Sequence, residues 1–341
     1  MTAPLEAQDS AEGAEPEAIT RGVRNTANRS LRQIAWQRLK RDRVAMAGGV
    51  VVIVLVLAAV LAPVIAWLTG ESPYQYDEAL MDPLTGGALN DPADPASGVD
   101  PLGGMSLKHP FGLEPGNGRD MFLRVIYGAQ ISLIVAFCAT VLCVVIGTLL
   151  GIVSGYFGGW VDAVISRAMD IFLAFPLLLF AIALAGVVPD GAFGLNGNGL
   201  RIGLLIFIIG FFNWPYIGRI VRGQTLALKE REFVEAARSL GAGNAHILFR
   251  ELLPNLVTPI LVYSTLLIPT NIIFEASLSF LGVGINPPTP SWGGMLDNAL
   301  DYYTTSPHFV IVPGLAIFLT VLAFNLLGDG LRDAFDPRST D

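Results

Sequence analysis

Residues 229–255 read KEREFVEAARSLGAGNAHILFRELLPN, a charged, glycine-hinged loop between two long apolar runs. The flanking runs, near 202–222 and 256–281, are each long enough to cross a bilayer, which takes about 20 mostly apolar residues. An integral membrane chain with a polar loop on one side follows. Residues 229–240 favour helix, and Gly241 stands where a helix C-cap belongs. The chain restarts at Gly243 or Asn244, with Asn244 the better N-cap. Ile247, Leu248, Leu252 and Leu253 then give an apolar stripe up to Pro254. Two short helices joined by a sharp turn are predicted. A plain connector does not need an amphipathic helix held by a fixed turn, whereas a helix seated in a partner's groove does.

Composition agrees with a membrane chain. Of 341 residues 52% are hydrophobic and only 15% charged, with mean hydropathy +0.57; soluble domains carry about 25% charged residues. The net charge of -8 hides a division. The first twenty residues carry five acids and no base, which predicts a disordered tail. Residues 21–43 carry seven arginines and Lys40 against Asp42 alone. The acids come first and the apolar run starts too late for a signal peptide. Cys138 and Cys143 lie on different faces of one helical run, so no disulfide between them is expected.

Spans are predicted near 44–68, 126–152, 164–188, 202–222, 256–281 and 309–328. Backbone groups must pair internally in lipid, so the fold class is all-α with six transmembrane helices. Pro63, Pro176, Pro215, Pro269 and Pro313 predict kinks or breaks. The basic leader, loop 223–255 and the C-terminal end share one side, while 69–118 holds eight acids and Lys108, and 284–307 holds no base. Both termini and the 229–255 loop are therefore expected to be cytoplasmic. The outer 69–118 segment, rich in Pro, Gly and Asp, reads as turns and irregular chain. Leu31, Ile34, Ala35 and Leu39, beside Trp36, predict a short helix on the membrane surface ahead of the first span.

Several chemistries are missing. No lysine follows a glycine, so there is no phosphate-cradling G-x-x-x-x-G-K-[ST] loop. His109, His246 and His308 are scattered without metal-ligand spacing, and no nucleophile–base pair or paired carboxylates lie within one span. The sequence offers instead Gly147, Gly151 and Gly155, a smooth helix face for close packing or a line beside a pore. Arg167 and Asp170, three apart, are placed to pair on one face. Glu275, deep in an apolar run, is satisfied by Ser277, Ser279 or a neighbouring helix, or else serves a pathway. Asn213, Trp214 and Tyr216 surround the Pro215 kink and fit either packing or a substrate-facing site. Beyond Pro287-Pro288-Thr289-Pro290, Trp292 suits the outer interface, and 291–303 a short helix near the outer mouth that includes Met295.

The inner loop resembles a known family. Glu235-Ala236-Ala237-x-x-x-Gly241 followed by Leu253-Pro254 matches the EAA loop of ABC importer permeases. Tyr127-Gly128-Ala129-x-Ile131-Ser132-Leu133, Gly155-Tyr156-Phe157-Gly158-Gly159-Trp160-x-Asp162, Glu275-Ala276-x-Leu278-Ser279-Phe280-Leu281-Gly282 and Pro287-Pro288-x-Pro290-Ser291-Trp292-Gly293 extend the match. Together they resemble the C-type permease subunit of dipeptide/oligopeptide importers, over roughly 30–335. Leu113-Glu114 departs from the Thr-Asp usual after this Phe-Gly, Gly243 stands where a Ser often caps the coupling helix, and the acidic tail has no counterpart.

The resemblance implies a type I ABC importer domain in the bacterial inner membrane. The chain then divides into a tail (1–29), a surface helix and first span (30–68), an outer loop (69–125), the core (126–330, with coupling loop 229–254) and a C-terminal tail (331–341). Implied partners are a homologous second permease, two ATPase domains that bind ATP and Mg, and an extracytoplasmic solute-binding protein; no nucleic acid and no cofactor on this chain are implied. It assigns Gly241 to the turn, Glu235 to tying the loop, and Ala236, Ala237, His246, Ile247, Leu248, Phe249, Leu253 and Pro254 to ATPase coupling. Asn213, Trp214, Tyr216 and Glu275 become pathway candidates, and Pro290, Trp292 and Met295 candidates for the outer gate or binding-protein contact. Di- or oligopeptide cargo is expected, with nickel, haem or another solute as alternatives. The competing class is a secondary transporter or channel using Asp170 and Glu275 as ion relays.

Overall fold

The computed structural model describes residues 31–94, 98–188 and 197–335. The predicted tail at 1–29 lies outside the described residues, as does 336–341 of the C-terminal tail. Among the described residues the chain is helical apart from the outer segment, the stretches 281–291 and 300–307 and short turns. The helices are α1 (Leu31–Arg41), α2 (Arg43–Val60), α3 (Ala62–Thr69), α4 (Met121–Phe157), α5 (Gly159–Ala174), α6 (Leu177–Val187), α7 (Gly197–Leu228), α8 (Glu232–Ser239), α9 (Asn244–Phe280), α10 (Trp292–Ala299) and α11 (His308–Phe335). Among the described residues five helices are long and apolar enough to cross a membrane, six spans if the bent pair α5 and α6 is counted as one. That third span is not one straight helix: α5 and α6 meet at 79° across Phe175 and Pro176. Pro176 has no N–H for the ladder, and Phe175 before it is pushed to extended backbone.

The other prolines act differently. Pro63 sits in the first turn of α3, just after the helix stops at Leu61. Pro215, Pro269 and Pro313 lie inside continuous helices. Helix α1 buries Ala35 and Leu39 against Ala45 and Ala334. Its apolar face therefore rests on α2 and the end of α11. Asp42 separates it from α2 and caps α2 by accepting from Val44 N and Ala45 N at 2.9 and 3.0 Å.

The glycine face of α4 packs against α7. A Cβ on Gly147 would lie 2.7 Å from the Trp214 carbonyl oxygen, one on Gly151 2.7 Å from that of Gly218, and one on Gly155 2.7 Å from Thr225 Cβ. Gly210 of α7 returns the contact, 2.7 Å from the Ala139 carbonyl oxygen. Of the two sequence readings, close helix packing is the one realised. The outer segment is irregular but tied. It carries the 3-10 turn Glu78–Leu80 and isolated bridges joining Met81 to Ala88, Leu89 to Val99 and Leu113 to Asp120.

Candidate functional site: the inner loop and the polar faces

At the inner loop, α8 ends as a glycine terminus requires. Gly241 has φ +84°, Ala242 N donates to Ala237 O at 3.0 Å and Gly241 N to Arg238 O at 3.0 Å. These two bonds are a Schellman closure, which fixes the turn. Fully buried Val234 anchors α8 in a cluster with Ile152, Val221, Ile247 and Leu252.

Three expectations need correction here. Gly243, not Asn244, is the N-cap; Asn244 is the first helical residue, and its Oδ1 accepts from the Tyr156 hydroxyl at 2.9 Å. The second helix is not a separate short one. It runs through Pro254 into the fifth span, and a π-turn over Ile247–Leu252 accommodates a residue that cannot donate to the ladder. Glu235 does not tie the loop: it is exposed and its carboxylate has no hydrogen bond or ion pair among the described residues. Val234 and the Tyr156–Asn244 bond do that work.

The assigned residues divide by exposure. Ile247 is buried inside the chain and holds the helix, while Leu248, 9% exposed, packs beside it and lines the edge of a groove. Phe249 is 56% exposed and, with Leu149, Val153, Leu253 and Val257, lines an apolar groove of about 360 Å³ between α4 and α9. The loop's outward tip is Leu240, 88% exposed, followed by Gly241, Asn244, Ala245 and His246. Ala236 and Pro254 are exposed and Ala237 half-buried. Sequence reasoning missed Leu240, although an apolar residue just before a C-cap glycine is visible in the sequence.

Above the loop, two ion pairs join α5 to α7. Asp162 accepts from Arg222 Nε and Nη2 at 2.5 and 2.7 Å, from Ser154 Oγ at 2.5 Å and from Ser166 Oγ at 3.1 Å. Asp170 pairs with Arg219 at 2.6 Å, not with Arg167 as the i, i+3 spacing predicts. The reason is tertiary: α7 lies alongside and presents a guanidinium to Asp170.

The pathway candidates separate too. Asn213 is buried; its Nδ2 donates to Asn271 Oδ1 at 3.4 Å, and Asn271 Nδ2 donates to Thr140 Oγ1 at 2.8 Å. This polar seam holds α7, α9 and α4 together. Trp214 is buried against Phe172 and Gly218, behind the exposed face. Tyr216 is exposed, and with Asn213, Phe172, Phe175, Phe212 and Phe274 it lines an aromatic cavity of about 310 Å³ at the α5–α6 break. Glu275 is fully buried, accepts from Ser279 Oγ at 2.8 Å, and does not reach that cavity.

Of the outer candidates, Pro290, Trp292 and Met295 are all buried, so none offers the accessible surface that a binding-protein contact needs. Trp292 leaves the interface because Gly128 makes room for its ring and Val125 O accepts its Nε1 proton at 2.9 Å. The sequence also missed a buried ionic brace outside. Glu114 accepts from Arg119 Nε and Nη2 at 2.5 and 2.8 Å, and Arg124 Nε lies 2.9 Å from the same carboxylate. Arg124 Nη1 donates to Pro73 O and Pro288 O at 3.1 and 3.2 Å. His109 Nδ1 lies 2.8 Å from Asp120 Oδ2, while Asp120 Oδ1 caps α4 through Leu123 N at 2.7 Å. Among the described residues no cluster of His, Cys, Asp or Glu is arranged to hold a metal ion.

Known proteins share sequence with this chain. Residues 147–341 match the family model described as binding-protein-dependent transport system inner membrane component. Residues 30–91 match the N-terminal TM domain of oligopeptide transport permease C. The chain is 44% identical over 303 residues, 89% of each chain, to the glutathione transport system permease protein GsiD of Shigella dysenteriae serotype 1. Identity and coverage are the same for GsiD of Escherichia coli O6:K15:H31. Among solved structures, the methionine ABC transporter MetNI in inward-facing conformations aligns with TM-score 0.49 and 20% identity, covering 63% of this chain and 97% of the other.

Proposed function

This chain belongs to the family of binding-protein-dependent transport system inner membrane components, and on that premise we propose that it forms one half of a peptide translocation pathway. As a permease subunit of an ABC importer it is a transporter component and not an enzyme; ATP is hydrolysed on separate subunits. Our reading adds a homologous second permease as the other half, ATP and Mg on two ATPase domains below, and a binding protein that delivers cargo outside. Both termini face the cytoplasm in this reading, supported by the division of basic and acidic loops. Peptide-type cargo is supported by relatives named for glutathione transport. Mass spectrometry of the load on the co-expressed binding protein tests the cargo: a peptide is expected, and nickel or haem would overturn it.

The observation that carries the coupling role is the exposed tip at Leu240, Gly241, Ala245 and His246, rigidly mounted on the fifth span. A partner that pushes the tip moves α9 directly, because the helix continues through Pro254 without a joint. Gly241→Trp has open space around its side chain, but φ +84° is strained for an L-residue by about 1–2 kcal/mol. The turn re-aims the tip to relieve that strain. Membrane insertion is expected to be unchanged while ATP-driven uptake falls to background. Normal uptake by Gly241→Trp would sink the coupling assignment.

A further inference from the structure

The second ion pair between α5 and α7, Asp170 with Arg219, has no role in packing comparable to that of Asp162 with Arg222. Arg219 Nη2 meets Asp170 Oδ1 at 2.6 Å in a single contact, and the two side chains are 52% and 55% exposed. Asp170 Oδ2 and the remaining guanidinium N–H groups have no partner among the described residues. By contrast, Asp162 and Arg222 make a two-point contact supported by two serine hydroxyls. An ion pair with half its valences open needs water or a polar visitor, because charge against lipid is costly.

The surface around the pair shows which it faces. In α7, 56% of the most apolar window is buried within the chain, against 22% in α2 and in α11, so α7 is a central helix. Beyond Pro215 its exposed residues include Tyr216, Arg219, Gly223 and Ala227, at i, i+3, i+7 and i+11 on one face. None is a large aliphatic residue. The exposed face of α2 is Val50, Ile53, Val54, Leu57 and Val60, as a lipid contact requires. The two strips differ in chemistry, one aliphatic throughout and the other carrying a phenol, a guanidinium and small residues. At its Tyr216 end the α7 strip opens into the aromatic cavity of about 310 Å³, and from there it runs towards the inner loop.

We propose that Asp170 and Arg219 form a charge-matching station on the wall of the pathway. Arg219 takes a carboxylate and Asp170 an ammonium, so the station suits a cargo with both charges, such as a peptide with free termini. The aromatic cavity receives the apolar part of the same cargo. This inference deepens the permease reading and rests on it.

The test uses the complete importer in inside-out vesicles without nucleotide. The native thiols, exposed Cys138 and buried Cys143, are first replaced by Cys138→Ser and Cys143→Ala. Tyr216→Cys and Gly223→Cys report on the strip, where a Cβ at Gly223 meets nothing within 4 Å, and Val54→Cys reports on lipid. A negatively charged thiol reagent is expected to modify both strip positions at least about tenfold faster than Val54→Cys, since a thiol in apolar surroundings stays protonated and inert. Millimolar tri-alanine should slow the strip reactions several-fold, and N-acetyl tri-alanine amide, which lacks both charges, should not. Arg219→Gln should remove the protection. Equal, slow modification at all three positions overturns the placement. Fast modification with no protection, or with equal protection by both compounds, overturns the charge assignment. ATP-driven release of peptide from the lumen of the same vesicles, loaded with the binding protein, bears on the permease reading alone.

Discussion

Gly151→Leu is expected to prevent the protein from accumulating in a folded state. Gly151 sits at the centre of the α4–α7 seam, where an added Cβ would be 2.7 Å from the Gly218 carbonyl oxygen and 2.9 Å from Val221 Cβ. Backbone lies on the far side, so no rotamer change makes room; the helices must separate. Overpacking a tight core costs about 1–3 kcal/mol and occasionally more. Here the whole seam from Gly147 to Gly155 opens together, and the expected loss is at or beyond the top of that range. Gly151→Ala, with only the Cβ, should lose about 1–3 kcal/mol. Gly314→Ala in α11 is the control, because its Cβ meets nothing within 4 Å. It should be neutral or stabilising by up to about 1 kcal/mol, since Ala is the better helix former. Thermal unfolding of the purified complex and membrane abundance provide the readout. An order Gly314→Ala, Gly151→Ala, Gly151→Leu of increasing damage is expected, and equal melting for all three would refute the seam as the cause.

That seam was legible in the sequence because glycines at a spacing of four mark one helix face whatever packs on it. The inner loop was legible for a similar reason: a C-cap glycine and an amphipathic stripe are local signals, and the Gly241 closure forms as the spacing predicts. What failed was partnership across elements. Arg167 and Asp170 satisfy the i, i+3 rule, yet Asp170 reaches Arg219, forty-nine positions on. Glu235 carries the first letter of the family motif but lies exposed, while its neighbour Val234 holds the loop. Trp292 has the amphipathic character of an interface residue, yet Gly128 of another helix gives its ring a buried seat. At Asp170 and Trp292 a distant helix supplied a partner that periodicity cannot see, and at Glu235 the packing went to the residue beside it. The break at Phe175–Pro176 is intermediate: the proline predicts a kink, but its 79° size depends on what surrounds the two halves.

Arg124→Ala is expected to destabilise the outer half of the protein as strongly as Gly151→Leu does the inner. Arg124 is almost fully buried, and its guanidinium meets three segments at once: Glu114 of the outer segment, the Pro73 carbonyl after α3, and the Pro288 carbonyl before α10. Removing it leaves two carbonyls without that donor and Glu114 with Arg119 as its remaining ionic partner. Breaking a buried pair by deleting one partner costs about 3–5 kcal/mol. Glu114→Gln should be at least as damaging, because it leaves Arg119 and Arg124 as two buried cations with no anion between them. Arg124→Lys keeps the charge but cannot fork to several acceptors, so its loss should fall between wild type and Arg124→Ala. The pair of exposed Lys108 with half-buried Glu71 is the internal contrast: Lys108→Ala should leave melting nearly unchanged, as solvent already screens the ammonium. If Arg124→Ala melts with wild type, the brace is decorative. If it melts early and outer proteolysis rises before inner proteolysis, Arg124 is what couples the outer segment to the loop that leads into α10, and movement at the outer mouth must carry both together.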